Sequence, residues 1–204
     1  MKSPQPERRS GHRMSKLDRM VEFAISAYRG GAFPMSVGGK LGFYACDPRW
    51  LFLFDRFYMP KTIGKLCRRK PFEIRTDTAF DDVVRGCRSG RDEWISAELA
   101  AVYSELFKRG HAHSVEAWKD GKLAGGLYGT HFGAAFLAES MYHSVTGASN
   151  VCVVHLMEHL KTRGFHFCDI QYPNPHTLRF HPVPIPARDF DKILRRALKA
   201  KAEF

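Results

Sequence analysis

The sequence predicts a mixed α/β (α+β) fold, built on a sheet whose strands are joined first by tight turns and then by a crossover helix. Three observations predict it. HSVEAW (113–118), KLAGGLYG (122–129) and AAFLAESMY (134–142) change the chain from helical to strand-like period. Asp120-Gly121 is a strong hairpin signal between the first two, and Gly133 marks a second tight turn. A helical stretch at 149–163 then separates these runs from a further strand, FHFCDIQ (165–171).

The other elements follow from local signals. MKSPQPERRSGHRM (1–14) combines Pro, Ser and charge without periodicity and reads as a disordered basic tail. Ser15 is an N-cap; Leu17, Met20, Ala24 and Ala27 follow at helical spacing, and Gly30-Gly31 stops the helix. Pro34, Gly38, Gly39 and Gly42 mark a loop-rich stretch, and WLFLF (50–54) is a short apolar strand. Pro60 opens a helix through Arg69, Pro71 ends it, and 72–75 alternates as a strand. Phe80, Val83, Val84 and Cys87 recur at i, i+3, i+4, i+7, the mark of an amphipathic helix. Ser96 caps another, with Leu99, Val102, Tyr103 and Leu106 on one face and Gly110 behind it. Ser149 or Asn150 caps the crossover helix, and Gly164 closes it. A Pro-rich loop (173–186) leads to a basic helix with Phe190, Ile193, Leu194 and Leu198 on one face.

A meander, a crossover helix and a parallel strand follow the order of the GNAT-like acyltransferases, whose two half-sheets splay and leave a cleft at the strand ends. The expected organisation is a tail at 1–14 and a small, shortened N-terminal helical and loop region at 15–75. A GNAT-like catalytic domain follows at 76–204.

Composition narrows the function. The chain has 204 residues, 44% hydrophobic and 26% charged, which supports a sizeable core and excludes collagen, coiled coil and wholesale disorder. No apolar run approaches the ~18 residues of a membrane span. The first twenty residues lack the apolar centre of a secretory signal. No membrane partner is therefore expected. Lys and Arg number 32 against 21 Asp and Glu, a net charge of +11 that attracts polyanions, nucleic acid first. Cys46, Cys67, Cys87, Cys152 and Cys168 are odd in number and form no CxxC pair. That argues against a disulfide framework or a cysteine zinc site and for a reducing cytoplasm.

Several motifs carry candidate chemistry. His155-Leu-Met-Glu158-His159 matches the inverted zinc-peptidase pattern HxxEH, but no strong third ligand accompanies it, and no metal is expected. HSVTGASN (143–150), before the crossover helix, lacks the Arg/Gln-x-x-Gly-x-Gly/Ala loop that would hold pantetheine, so acetyl-CoA is not expected either. Lys61, Lys65 and Arg68 fall at i, i+4, i+7 and share a helix face able to grip consecutive phosphates. A solvated helix face is the plain alternative, and the net charge favours RNA. Glu139-Ser140-Met141 ends one strand. Asp169 and Gln171 end another, two apart and hence on one face, where clefts open in sheets with parallel strands. A capping carboxylate is the plain alternative for Asp169.

These residues bring a resemblance into view. DEWIS (92–96), ELFKRGHAHSVEAWKDGKLAGGLYG (105–129), FLAESMYH (136–143) and FCDIQYPNPH (167–176) resemble the leucyl/phenylalanyl-tRNA–protein transferase family. AYRGGAFPM (27–35), ACDPR (45–49) and TDTAFDDVVRGC (76–87) fit as well, so the likeness runs in order over about residues 20 to 194. It implies transfer of Leu or Phe, carried as an ester on tRNA, to the N-terminal Arg or Lys of a protein. It also implies a GNAT-like fold with no acetyl-CoA, metal or other cofactor. The resemblance makes Asp169 and Gln171 the catalytic pair, with Glu139 and Asp169 holding the acceptor. It places Trp94, Ser140 and Met141 in the substrate cleft and Leu127, Phe136 and Leu156 around the aminoacyl side chain. Lys61, Lys65 and Arg68 become the tRNA grip. Departures are local: the family's opening VGGDL-like turn is missing or replaced, its tryptophan-rich stretch is Phe43-Tyr44-Ala45-Cys46, and its SLGA is Arg179-Phe180-His181-Pro182.

The chemistry is consistent from below. An aminoacyl ester is already activated, and an α-amine of pKa about 7.7–8.0 is partly neutral at pH 7. Orientation and removal of one proton are the main tasks. Two other readings remain at this point: the same donor with a small-molecule or peptide amine as acceptor, and a non-catalytic RNA-binding module.

Overall fold

The computed structural model describes residues 14–89 and 94–204. The expected tail lies outside the described residues except for Met14. The elements are α1 (Lys16–Arg29), β1 (Phe33–Val37), β2 (Lys40–Tyr44), β3 (Arg49–Phe52), α2 (Lys61–Arg69), β4 (Glu73–Thr76), α3 (Phe80–Arg88) and α4 (Ala97–Lys108). Then come β5 (Ala112–Lys119), β6 (Lys122–Phe132), β7 (Ala135–His143), α5 (Ala148–Thr162), β8 (Phe167–Asp169), α6 (Pro175–Leu178), β9 (Val183–Ile185) and α7 (Ala187–Lys199).

Local signals place most of them. Ser15 caps α1 in a capping box: its hydroxyl accepts from the Asp18 N–H, and the Asp18 carboxylate accepts from the Ser15 N–H. Ser96 caps α4 by accepting from the Leu99 N–H through its hydroxyl. Asp120 and Gly121 turn the β5–β6 hairpin with φ of 51° and 71°, the left-handed pair that a two-residue turn requires.

Seven strands form one sheet in the order β4-β5-β6-β7-β8-β3-β9. Every neighbouring pair is antiparallel except β7 and β8, which are parallel and joined by α5. One face of the sheet packs on α5, with Val153, Leu156 and Leu160 against Leu127, Phe136 and Cys168. The other face packs on α1, α3 and α4, with Tyr28, Val83 and Tyr103 against Tyr128 and Leu137. Helix α7 closes the end near β3 and β8 through Phe190 and Leu194.

The structure departs from expectation in four places. The stretch read as loop holds the β1–β2 hairpin, a separate two-stranded sheet turned by Gly38-Gly39. Strand β3 lies inside the main sheet, and β4, which runs to Thr76, forms one edge of it. The 15–75 stretch thus contributes strands to the main sheet as well as helices and loops. The cap of α5 is Gly147, not Ser149 or Asn150. Its φ is 91°, and a Cβ there would lie 2.5 Å from the Leu66 side chain. Finally, the Pro-rich loop contains α6 and β9.

Candidate active site

The parallel pair β7–β8 is short, and that creates the site. Pairing runs only from Ala135↔Phe167 to Leu137↔Asp169. Beyond it β8 ends, and β7 bulges: Gly129 pairs with Ala138 but Tyr128 with Ser140, leaving Glu139 as the extra residue. A bulge bends its strand and re-aims a side chain. The strands part here, and a cleft of about 550 Å³ opens between residues 138–141 on one side and 170–171 on the other. Phe52, Leu127, Met141, Val153, Leu156 and Ile170 give it an apolar wall. Phe33, Pro34 and Met35 of the hairpin and Trp94 give a second side; Asn174, His176 and Thr177 of the α6 turn give a third.

Glu139 lines the cleft, with its carboxylate held from behind. Its oxygens accept from the hydroxyls of Tyr28 (2.8 Å) and Tyr103 (2.8 Å), which arrive on α1 and α4. Burial pushes this carboxyl up to about 7, against the opposite pull of the two hydroxyls. It is therefore divided between acid and carboxylate near neutrality.

Asp169 is fully buried and does not line the cleft. Both its oxygens accept from Arg49 Nε at 2.9 Å. Arg49 Nη2 lies 2.7 Å from Oδ2 as a charge contact, off the line of a hydrogen bond. The guanidinium is itself enclosed: Nη1 donates to the Gly31 carbonyl at 2.7 Å, and the Phe33 and Phe190 rings lie 4.9 and 4.7 Å from its carbon. The remaining Asp169 contact comes from the Gln171 backbone N–H at 2.9 Å.

That contact fixes a bend. Gln171 has φ 53°, a left-handed conformation rare for a residue with a Cβ. The Trp50 N–H donates to its carbonyl at 3.2 Å, so β3 and Asp169 clamp it from two sides. The side chain is nearly buried on the cleft wall, and its Nε2 has no hydrogen-bond partner. An orphaned buried amide is costly, and strain of this kind gathers at functional sites.

The cleft thus brings together Trp94, Leu127, Glu139, Ser140, Met141, Leu156 and Gln171 of the residues singled out in sequence. It leaves out two. Asp169 points away because the strand ends there and the left-handed turn breaks the alternation that would put it beside Gln171. Phe136 pairs with Cys168 in β8 and is fully buried, and it is not among the residues that line the cleft. Its ring lies instead 6.2 Å from Phe165 and 5.5 Å from Phe204. Sequence reasoning gave no role to Arg49, Tyr28 or Tyr103. The signal for Arg49 was present as a charge at the head of an apolar strand.

Elsewhere, Lys61, Lys65 and Arg68 are exposed on α2 and form no ion pair among the described residues. His155 and Glu158 line a second cleft between α2, β4 and α5, while His159 packs 4.6 Å from Phe204. Among the described residues no three His, Cys, Asp or Glu side chains gather as a metal site. No helix among them is long and apolar enough to cross a membrane.

Fold and site define a mixed α/β protein whose apolar cleft holds the Glu139 carboxylate and an unpartnered Gln171 amide, with the buried Arg49–Asp169 pair behind the turn that carries Gln171. The sequence profile of the leucyl/phenylalanyl-tRNA protein transferase family matches residues 51–195, and the chain belongs to that family. It is 42% identical over 189 residues to a leucyl/phenylalanyl-tRNA–protein transferase of Akkermansia muciniphila, covering 89% of this chain and 98% of that protein. It is 41% identical over 185 residues to one from Gloeobacter violaceus, covering 90% and 96%. The fold is similar to a C-terminal DUF2156 domain from Agrobacterium fabrum, assigned to a lysylphosphatidylglycerol synthetase. There the TM-score is 0.52 at 14% identity, over 89% of this chain and 77% of that one.

Proposed function

We propose that this protein transfers Leu or Phe from aminoacyl-tRNA to the N-terminal Arg or Lys of an acceptor protein, forming a peptide bond. The observation that carries the reading is the clamped Gln171 amide, unpartnered on the wall of an apolar cleft that also holds Glu139. The reading takes the fold as GNAT-like, supported by the meander, the crossover helix and the single parallel pair that splays. It places the reaction in the cytoplasm, consistent with five free cysteines.

In this mechanism the acceptor's neutral α-amine attacks the ester carbonyl carbon. The C–N bond forms, the C–O bond to the ribose breaks, and the amine's proton ends on the departing ribose hydroxyl. Gln171 Nε2–H donates to the carbonyl oxygen as charge develops, and Oε1 accepts from the amine and orients it. Asp169 and Arg49 do not touch substrate; they hold Gln171 in its turn. Glu139 in its ionised form attracts the acceptor's cationic side chain. Leu127 and Leu156 bound the Leu or Phe side chain. The ester supplies the activation, so the reading needs no cofactor.

The experiment is a donor series, tRNA charged with Leu, Phe, Met or Asp, supplied with one peptide beginning with Arg. Transfer of the apolar residues and not of Asp is expected; transfer of none, or of all equally, overturns the reading. Leu156→Ala should shift relative rates among Leu, Phe and Met donors by roughly 1–3 kcal/mol, the scale of one misfilled apolar site. Unchanged ratios would remove Leu156 from the pocket.

Two further outcomes are expected. Reversing Lys61, Lys65 and Arg68 to Glu should weaken tRNA binding and flatten the slope of log affinity against log salt by about 2–3. An unchanged slope in a filter-binding titration would clear α2 of the grip. For Glu139 the sign is set by its raised value. The carboxylate that attracts the acceptor forms as pH rises through about 7, so acceptor affinity should strengthen from pH 6 to 8. In Glu139→Gln that added rise should vanish. The same shift favours the protonated folded state: wild type should lose up to roughly 3 kcal/mol relative to Glu139→Gln as pH rises from 4.5 to about 7. Parallel stability curves for the two proteins would contradict it.

A further inference from the structure

Beside the cleft lies an aromatic pair that the proposed chemistry leaves unused. Tyr58 and His181 stack with ring centroids 4.3 Å apart and planes 14° from parallel. Both are exposed, Tyr58 at 42%. Exposed aromatic stacks present an open π face to solvent, which is the surface that unpaired bases use.

The pair is held in place from beneath. The Tyr58 N–H donates to the Phe180 carbonyl at 3.2 Å, joining the two loops. The Phe180 ring stacks on Phe57 at 5.4 Å and meets Phe52 edge-on at 6.0 Å. Phe52 in turn lines the cleft, so a continuous aromatic layer connects the cleft wall to the exposed pair.

His181 also carries backbone strain. Its φ is 55°, in the left-handed region that glycine enters freely and that most other residues avoid. This chain thus places an imidazole where a residue without a side chain would be easier to accommodate, and the ring it gains is the one stacked on Tyr58.

Location selects the occupant. Lys61, the first residue of the exposed cationic face of α2, follows Tyr58 by three residues. On the other side, His181 follows α6, whose His176 and Thr177 line the cleft. The pair is thus tied along the chain to α2, whose exposed face suits phosphates, and through Phe180 and Phe52 to the wall of the cleft. A polyanion running from one to the other passes over it.

We propose that Tyr58 and His181 form a stacking subsite for a nucleobase of the unpaired 3′ end of the donor tRNA, between the phosphate-gripping helix and the cleft. The proposal rests on the aminoacyl-tRNA reading of the cleft. Stacking lets the subsite hold any base, because every base has a π face, while α2 supplies the charge.

The test uses the whole protein with deacylated leucine tRNA and the same tRNA trimmed of its unpaired 3′ nucleotides, read by fluorescence anisotropy. Tyr58→Ala and His181→Gly should each weaken binding of intact tRNA roughly 5- to 100-fold. Neither should change binding of the trimmed tRNA. His181→Gly should melt at or above wild type, because glycine relieves the strained φ, and so separates lost stacking from lost folding. If wild type binds and transfers while both variants bind intact tRNA like wild type, the stacking subsite fails alone. Variants that raise only the acceptor-peptide KM would make the pair an acceptor contact and overturn it too. If wild type binds no tRNA, the subsite and the donor reading fail together.

Discussion

Replacing Arg49 with Met is expected to abolish transfer and to destabilise the fold by about 3–5 kcal/mol, the scale of breaking a buried ion pair from one side. The expectation follows from burial. Arg49 and Asp169 are 1% and 0% exposed, and the guanidinium contacts both carboxylate oxygens. Without it, the carboxylate stands uncompensated in the core and must take up a proton or draw in water. Either change loosens the Asp169–Gln171 contact that shapes the turn. The double variant Arg49→Met with Asp169→Leu removes both charges. It should recover much of the lost stability, because apolar replacements of buried pairs are often neutral or better. It should not recover activity, since nothing then holds Gln171. Melting curves and single-turnover rates on the three proteins separate the two roles. A double variant with wild-type activity would show that the pair serves the fold alone.

Gln171→Ala is expected to lower kcat by about 10²–10³, the range for removal of one preorganised donor to a developing oxyanion. Acceptor KM and tRNA affinity should change little, because the amide acts mainly in the transition state and the charges that hold both substrates lie elsewhere. Stability should hold or rise: the substitution removes an orphaned buried amide, though Ala keeps the left-handed φ. Gln171→Gly relieves that strain as well and should be the more stable of the two. A Gln171→Ala protein that keeps wild-type kcat would end the catalytic assignment.

The sequence was most legible where local chemistry decides structure. The Ser15 and Ser96 caps and the Asp120-Gly121 turn depend on neighbours in the chain and formed where expected, and the crossover helix formed with its cap shifted to Gly147. The β1–β2 hairpin was hidden because its strands are short and punctuated by Pro34 and Gly42, although Gly38-Gly39 is itself a two-residue turn signal. Site residues were legible as types at positions, not as orientations. Alternation at i, i+2 put Asp169 and Gln171 on one face, but the strand stops at Asp169 and the left-handed Gln171 reverses the expectation. The bulge that frees Glu139 depends on pairing between β6 and β7, and no single segment encodes it. The Arg49–Asp169 pair joins residues 120 apart, so its partner could not be read from either neighbourhood.

The central claim is transfer to a basic N-terminus. Its most direct measurement supplies labelled leucyl-tRNA with three peptides that differ only at the start: Arg, Ala, and Arg with an acetylated amine. The account predicts label in the Arg peptide, little in the Ala peptide, which offers Glu139 no cationic side chain, and none where the nucleophile is blocked. Equal labelling of the Arg and Ala peptides, or labelling of none, would contradict it.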